Sequence, residues 1–415
     1  MQTEVSLGVN KQKRRAFGLI ILFGMVSLFG DIVYEGARSV NGPYLKTLGA
    51  NAVIVGLVAG LGEFLGYALR LLSGYFADKT KAYWIFTIFG YAMLISVPLL
   101  SLTGIWQIAA IFIILERIGK ALRSPAKDTI VSEQAKQVGT GFGFGLQEAM
   151  DQIGAVSGPL IFTLLFVSLG RRENTLSDYR LGYSFLWFPF IFVMASVVTA
   201  YLLVPHPERF EKTVNRIKGP NNLSRVFWLY TLFSFTATVG FVNFVLMGYH
   251  FKSKNIFSDA QIPFFYCLAM GIDGLAALVI GKAYDRMKIR ANNEHAGLFT
   301  LLIIPLLSLF IPLCVFIKDY KIAIAGVLIW GIVMGAHETI MKSAIADITT
   351  LEKRGTGYGI LNTSYGLAMF IGCALMGILY ERSIGLLITF SVIIEFLAVI
   401  IFFIMKKEVL KTSAG

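Results

Sequence analysis

Charge is scarce in this chain. Only 15% of its 415 residues are charged and 56% are hydrophobic, whereas a soluble domain carries about a quarter charged residues. Mean hydropathy is +0.70, so an ordinary soluble domain is excluded. The three cysteines, Cys267, Cys314 and Cys373, all lie in apolar runs, which excludes a disulfide framework. Four scattered histidines show no metal-ligand spacing. A phosphate-binding glycine loop, a nucleophile–histidine constellation and a soluble stretch of useful size are all missing, which argues against an enzyme and against a metal or nucleotide cofactor. The apolar runs show no ten-residue alternation of the kind a membrane barrel needs. Acids are outnumbered, 25 against 37 bases, for a net charge of +12. The bases cluster in particular loops, so nucleic acid is not an expected partner. The basic cluster Lys11, Lys13, Arg14 and Arg15 is followed by an apolar run without a small-residue cleavage site, and so reads as the flank of a retained first helix rather than a signal peptide.

What remains is helix. The chain has room for about twelve spans of about 20–25 residues, placed at 16–39, 52–77, 83–104, 107–131, 141–169 and 181–204, then 224–250, 259–282, 295–317, 321–346, 356–380 and 384–405. The longest polar segment, 205–223, lies at the midpoint and divides the chain into a bundle over 1–204 and another over 224–415. Lysine and arginine crowd the N-terminus, Lys79/Lys81, the linker, Arg286–Arg290, Lys353/Arg354 and Lys406–Lys411, while the opposite loops hold fewer. The positive-inside rule then puts both termini and the linker in the cytoplasm of a cell whose inner membrane the chain crosses.

The first span carries the strongest functional signal. From Phe17 it is apolar as far as Gly30, then bears Asp31, Glu35 and Arg38, which at about 100° per residue fall within about 60° of one another. A charge at the centre of a span is disfavoured by about 2.5–3.5 kcal/mol and marks a functional site by default. Three on one face point to a protein-lined, water-filled cavity; a buried Glu35–Arg38 pair that only locks helices is the structural alternative. Span 2 adds Glu63 and Arg70 on one face, span 4 adds Glu116, Arg117, Lys120, Arg123, Lys127 and Asp128, and span 5 adds Glu148 and Asp151. Arg123, Lys127 and Asp128 read as a helix end reaching water. The second half is more neutral: Asn243 in span 7, Asp273 in span 8, and His337, Glu338 and Lys342 in span 10. Glu338 and Lys342 stand four apart and can pair, and His337 reads as a satisfied interior histidine. Tyr34, Glu35, Arg38, Glu63 and Arg70 from the first half, with Asn243, Asp273, His337 and Glu338 from the second, are the candidate substrate-lining residues.

The two halves also resemble each other. Gly74-Tyr-Phe-Ala-Asp78-Lys79 follows span 2 and Gly281-Lys-Ala-Tyr-Asp285-Arg286 follows span 8. Gly139-Thr-Gly-Phe-Gly143 opens span 5 and Gly355-Thr-Gly-Tyr-Gly359 opens span 11. Paired matches in register indicate a duplicated six-helix unit. In span 5, Gly145, Gly154, Gly158 and Pro159 follow the spacing G-x8-G-x3-G-P. Gly154 and Gly158 give one face on which another helix can approach closely, and Pro159 can bend the helix there.

On these residues the chain resembles the major facilitator superfamily along nearly its whole length, and in span 5 its proton-coupled, drug-efflux type of antiporter. Gly74 to Lys79 is similar to the start of that family's loop 2–3 signature, although Lys81-Ala-Tyr replaces its basic tail. Arg117 resembles the family's membrane arginine associated with proton transfer, with Ala121 in place of the usual glycine. The span 5 pattern is similar to the antiporter signature, with Phe162-Thr163 where that signature ends in two glycines. The resemblance implies an all-α integral membrane protein of twelve transmembrane helices in two pseudo-symmetric bundles. It implies gating roles for Gly74, Asp78, Lys79, Asp285 and Arg286, and for Gly145, Gly154, Gly158 and Pro159. The expected function is alternating-access transport of a small organic solute, driven by the proton gradient with no cofactor, by a monomer in the bilayer. Glu35 is the first candidate for the coupling acid, then Asp31, with Arg117 or Arg38 as competing cation and Glu148 and Asp151 as the next pair. A proton symporter importing a nutrient or an anionic metabolite is the alternative, and a membrane sensor without transport is the alternative of another class.

Overall fold

Long apolar runs punctuated by prolines and polar turns give twelve helical passages among the described residues. A computed structural model describes residues 2–138, 140–205, 223–291, 296–349 and 353–412, with side chains outside 2–15, 133, 135–138, 140–144, 291, 341, 342, 346, 354 and 412. The passages are α1 Gln2–Thr47, α2 Ala52–Thr80, α3 Tyr83–Ala92 prolonged by 3-10 turns to Leu102, α4 Trp106–Val138, α5 Thr140–Ser168, and α6 Leu176–Phe185 with Trp187–Leu203. After the midpoint come α7 Arg225–Gly240 with Phe244–Ser253, α8 Gln261–Ala291, and α9 from Ala296–Leu302 through Ile303–Ser308 to Phe310–Val315. The last three are α10 Tyr320–Ile348, α11 Arg354–Arg382 and α12 Ile384–Thr412. Six precede the midpoint and six follow it. The expected linker, apart from its ends, lies outside the described residues, as do the side chains of most of the Gly139–Gly143 motif and of Lys342.

Eleven of these passages are long and apolar enough to cross a bilayer; α4 alone is too heavily charged to qualify. Its central charges, Glu116, Arg117 and Arg123, are tolerated because they are covered by protein, as the site shows below. The interruptions have local causes. Pro98 starts the 3-10 turn that ends α3, and Pro305 and Pro312 lie in the short pieces of α9, each removing a backbone donor. In α7 the break is built: Phe241 turns extended (φ −78°, ψ 124°), and the Asn243 carboxamide accepts the Val245 N–H at 2.9 Å as cap of the second piece. Trp330 Nε1 donates to the Val242 carbonyl at 2.9 Å, occupying the backbone acceptor that the break frees.

Small residues set the helix contacts, since van der Waals packing rather than the hydrophobic effect holds helices together in lipid. A Cβ on Gly154 would stand 2.5 Å from the Leu28 carbonyl, and one on Gly158 2.5 Å from that of Ile32. The glycine face of α5 therefore seats α1, the charged helix, and α5 runs unbroken through Pro159. Gly145 has nothing near it. The two halves are joined most tightly on the side away from the termini. There a Cβ on Gly42 would meet the Val245 carbonyl at 2.0 Å and one on Gly377 the Ala52 carbonyl at 2.6 Å. Polar latches complete this seal: Asp259, paired with Lys252 of its own half at 2.6 Å, accepts the Asn174 N–H at 2.5 Å, and Glu381 accepts the Ala52 N–H at 2.7 Å.

Gly154→Ala is expected to lower stability by about 1–3 kcal/mol through overpacking against α1. Gly145→Ala, with open space and a better helix former, should be neutral or stabilising by up to about 1 kcal/mol. Thermal unfolding of the purified variants in detergent checks the contrast, and equal destabilisation by both would contradict the packing role of Gly154.

Candidate functional site

The α1 face bearing Tyr34, Glu35 and Arg38 is turned wholly inward, and its charges enter one chain of ion pairs across α1, α2 and α4. Arg38 lies 3.7 Å from Glu35, one turn back on α1, and 3.3 Å from Glu63 of α2. Glu63 is also held by Arg117 of α4 at 3.2 Å. Arg117 reaches Glu116 at 3.6 Å, and Glu116 pairs with Arg123 at 3.3 Å. The Tyr34 hydroxyl accepts from Arg38 at 3.3 Å and from Arg117, while its ring lies under Lys120 Nζ at 3.8 Å. All six ion-paired residues are at most 8% exposed. Three carboxylates face three guanidiniums, so the cluster is neutral as a whole. Arg117 suits its place because a guanidinium offers five donors in a rigid fork; here they serve two acids and a phenol.

The local sequence makes room for these side chains. A Cβ on Gly62 would stand 3.0 Å from Arg117 Cγ, so the pair Gly62/Gly66 is the groove along which Arg117 crosses α2 to reach Glu63. Gly90 on α3 does the same for Arg123, whose backbone N would lie 2.7 Å from a Cβ there, and the guanidinium donates to the Gly90 carbonyl at 3.3 Å. Arg123 is thus buried, not the water-reaching helix end that its position near the end of span 4 suggests. Asp128 is exposed as expected, and Lys127 is half-buried with Nζ 3.4 Å from Ser27 Oγ.

Among the described residues, one hydrogen bond ties this cluster to the other half: the Tyr266 hydroxyl of α8 donates to Glu35. Tyr266 belongs to an aromatic wall with Phe244, 4.5 Å away between centroids, and Trp330, 5.9 Å away. The open, solvated cavity expected around the charges is reduced, in this conformation, to two gaps of about 10 Å³ each. One is lined by residues including Tyr34, Arg38, Asn41 and Glu116, the other by Asn41, Glu63, Arg117 and Asn243. Each is at the lower limit for a single water.

The remaining candidates lie around this centre. Asp31 is half-buried beside Gly154, with Asp151, Lys120, Glu35 and Lys127 as its charged neighbours. Asp151 is half-buried and Glu148 exposed. Arg70 is not on Glu63; its guanidinium stacks over Tyr67 at 4.6 Å. Asp273, 1% exposed, faces Gln152 and has Glu338, Glu35 and Glu148 as acidic neighbours. His337 is 2% exposed, with its ring on Phe241 and Tyr365, and neither ring nitrogen has a partner among the described residues, so it is not the satisfied histidine its setting suggests. Glu338 is exposed. Asp78, Lys79, Asp285 and Arg286 are exposed at the ends of α2 and α8; Asp78 accepts from the Tyr83 hydroxyl at 3.2 Å, and Gly74 rests on Pro125 of α4. Tyr266 and Glu395, a buried acid on α12, are absent from the sequence candidates. A single acid in a long apolar run was the available signal for Glu395; none existed for Tyr266.

Replacing Glu63 by Gln removes the countercharge of two buried arginines. Stability should fall by about 3–5 kcal/mol, and Arg38→Gln on that background should recover part of the loss. Chemical or thermal unfolding of the single and double variants measures this; a loss below about 1 kcal/mol, the range of exposed pairs, would mean that the cluster is solvated.

The family profile of the Major Facilitator Superfamily matches residues 16–373. The chain is 35% identical to an uncharacterized protein of Mycobacterium tuberculosis (strain ATCC 25618 / H37Rv) over 406 residues, covering 96% of each. It is 25% identical over 378 residues to an uncharacterized MFS-type transporter of Methanocaldococcus jannaschii, covering 90% of this chain and 91% of that one. Among solved structures it is similar to a bacterial homolog of the human lysosomal transporter Spinster, inward-facing and unoccupied, with TM-score 0.69, 14% identity and coverage of 96% and 98%. The nucleoside transporter NupG gives TM-score 0.67 at 14% identity, covering 94% and 98%; at such identity these two speak for the fold alone. Twelve helical passages, a buried ionic centre where the halves meet and a profile match over most of the length make one conclusion: the chain belongs to the major facilitator superfamily and is a multi-pass membrane transporter, not an enzyme.

Proposed function

We propose that this transporter exports a small organic solute in exchange for protons, as a monomer in the inner membrane with both termini in the cytoplasm. The bases crowding the loops on the side of the termini support that orientation. The observation that carries the reading is the position of Glu35. It is the one acid of the ion-pair chain that is bonded across the two halves, to Arg38 on its own helix and to Tyr266 on α8. When the halves rock, Tyr266 leaves and the carboxyl meets water or another neighbour. A group whose surroundings differ between two conformations binds its proton differently in each, and that difference links protonation to opening. The membrane potential adds about 2.3 kcal/mol per charge per 100 mV, comparable to exchanging a paired for an unpaired acid.

Within the ion-pair network Arg38 and Arg117 are each shared between two acids and Tyr34, and Arg123 is held by Glu116 and the Gly90 carbonyl, which favours a solute that is neutral or cationic over an anion. The wall of Phe241, Phe244, Tyr266 and Trp330 favours an apolar or aromatic body. Import of an anionic metabolite by symport would require Arg38 or Arg117 to release a carboxylate for the solute.

In inverted vesicles, Glu35→Gln should abolish proton-driven solute accumulation while leaving solute exchange across the membrane measurable. Undiminished proton-driven accumulation would remove Glu35 from the role, and proton movement in the same direction as the solute would convert antiport to symport.

A further inference from the structure

Glu395 takes no part in the ion-pair chain. It stands on α12 in the stripe Ser391, Glu395, Ala398 and Phe402, all at most 1% exposed, which packs on α7, as the contact of Phe233 with Phe402 marks. Glu395 itself is 0% exposed, and among the described residues neither carboxyl oxygen has a hydrogen-bond partner and no charged side chain acts on it. A carboxyl in such a place is strongly disfavoured unless something answers it.

Opposite this carboxyl, α7 stops. Its first piece ends at Gly240, and helix resumes at Phe244. The carboxyl lies against that end, since a Cβ on Gly240 would be 2.8 Å from Glu395 Oε1. One turn earlier on α12, the Ser391 hydroxyl donates to the Gly240 carbonyl at 2.6 Å, which leaves that carbonyl a second lone pair. The C-terminal end of a helix carries partial negative charge. A carboxyl, a hydroxyl and a half-helix carbonyl end thus converge with nothing positive beside them among the described residues. Oxygens of this kind at broken helices are suited to small hard cations.

We propose that Glu395, Ser391 and the Gly240 carbonyl form a binding site for a small monovalent cation, a sodium ion or a proton, at the break of α7. An occupied site ties α7 to α12 and holds the break; without the cation, the carboxylate and the helix end repel. The second piece of α7 seals against α1 at Gly42, so occupancy is linked to that seal. The titratable groups on the elements packed against α12 are engaged elsewhere or stand away. On α7, Tyr230 lies ten residues before Gly240, and His250 is bonded to Tyr380 of α11 at 2.9 Å. On α11, Tyr365 lies on His337, Cys373 faces Gly60, and Tyr358 lies two turns before Tyr365. On α9, Cys314 lies beside Gly326 of α10. The charges of α12 itself begin at Lys406, three turns on. The site does not depend on the role given to Glu35.

The test uses the full chain in detergent and follows its thermal midpoint while sodium replaces choline at constant ionic strength, at several pH values. Wild type should be stabilised saturably by sodium; if it is stabilised only by acid, in choline and sodium alike, the cation is the proton. In either case Glu395→Gln should lose the response and Ser391→Ala should shift it to about tenfold higher cation concentration, as loss of a supporting ligand does, and a sodium response should survive Glu35→Gln. If Glu395→Gln does not fold, Ser391→Ala decides. An unshifted response in Ser391→Ala, a response in Glu395→Gln equal to that of wild type, or a response removed only by Glu35→Gln would overturn the proposal.

Discussion

Glu63 between two arginines is the interaction on which the rest of the amino-terminal half depends. Ions brought out of water are tolerated in a membrane only when paired, and breaking a buried pair leaves a bare charge whose penalty exceeds what the pair itself contributed. Arg38 and Arg117 come from different helices and share the one carboxylate at 3.3 and 3.2 Å, so α1, α2 and α4 are fixed relative to one another. Glu116 and Arg123 extend the arrangement toward α3. The glycines at 62, 66, 90, 154 and 158 serve the same end, since each lets a side chain or a helix come close enough for the pairs to form.

That rigid unit meets the second half along α2, which packs closely on α11 (a Cβ on Gly56 would stand 2.3 Å from the Cys373 carbonyl), but its charges make a single polar link among the described residues. One phenol, Tyr266, reaches Glu35, while on the side away from the termini the halves are held by backbone contact at glycine and by the Asn174–Asp259 and Ala52–Glu381 hydrogen bonds. A rigid charged unit with one exchangeable partner is a bistable element in the physical sense, because either half can move as a body without breaking its own pairs. The second half has a corresponding discontinuity in α7, where the break is stabilised by Asn243 and Trp330 on one side and faces an unanswered acid, Glu395, on the other.

Much of this was legible in the sequence because it follows from spacing. Asp31, Glu35 and Arg38 share a helix face, and Gly154 and Gly158 mark a close approach; both hold in three dimensions. Spacing does not say which helix stands opposite. It could not reveal that the glycine face of α5 receives the charged face of α1, that Arg70 stacks on its neighbour Tyr67 instead of meeting Glu63, or that Tyr266 completes Glu35. The position of Arg123 near the end of a span suggests water, whereas Gly90 and Glu116 bury it. For Glu395 the sequence offers only a single acid in an apolar run, with nothing to show that it stands opposite Gly240.

The central claim is that the Glu35–Tyr266 junction parts and re-forms as protons come and go. It is tested most directly by the distance between spin labels at Lys79→Cys and Arg286→Cys, exposed ends of α2 and α8, in a chain freed of its native cysteines. Double electron–electron resonance across a range of pH should give two distance populations whose ratio changes with pH, and Glu35→Gln should fix that ratio. A single distribution unmoved by pH, or a pH response that persists unchanged in Glu35→Gln, would contradict the account.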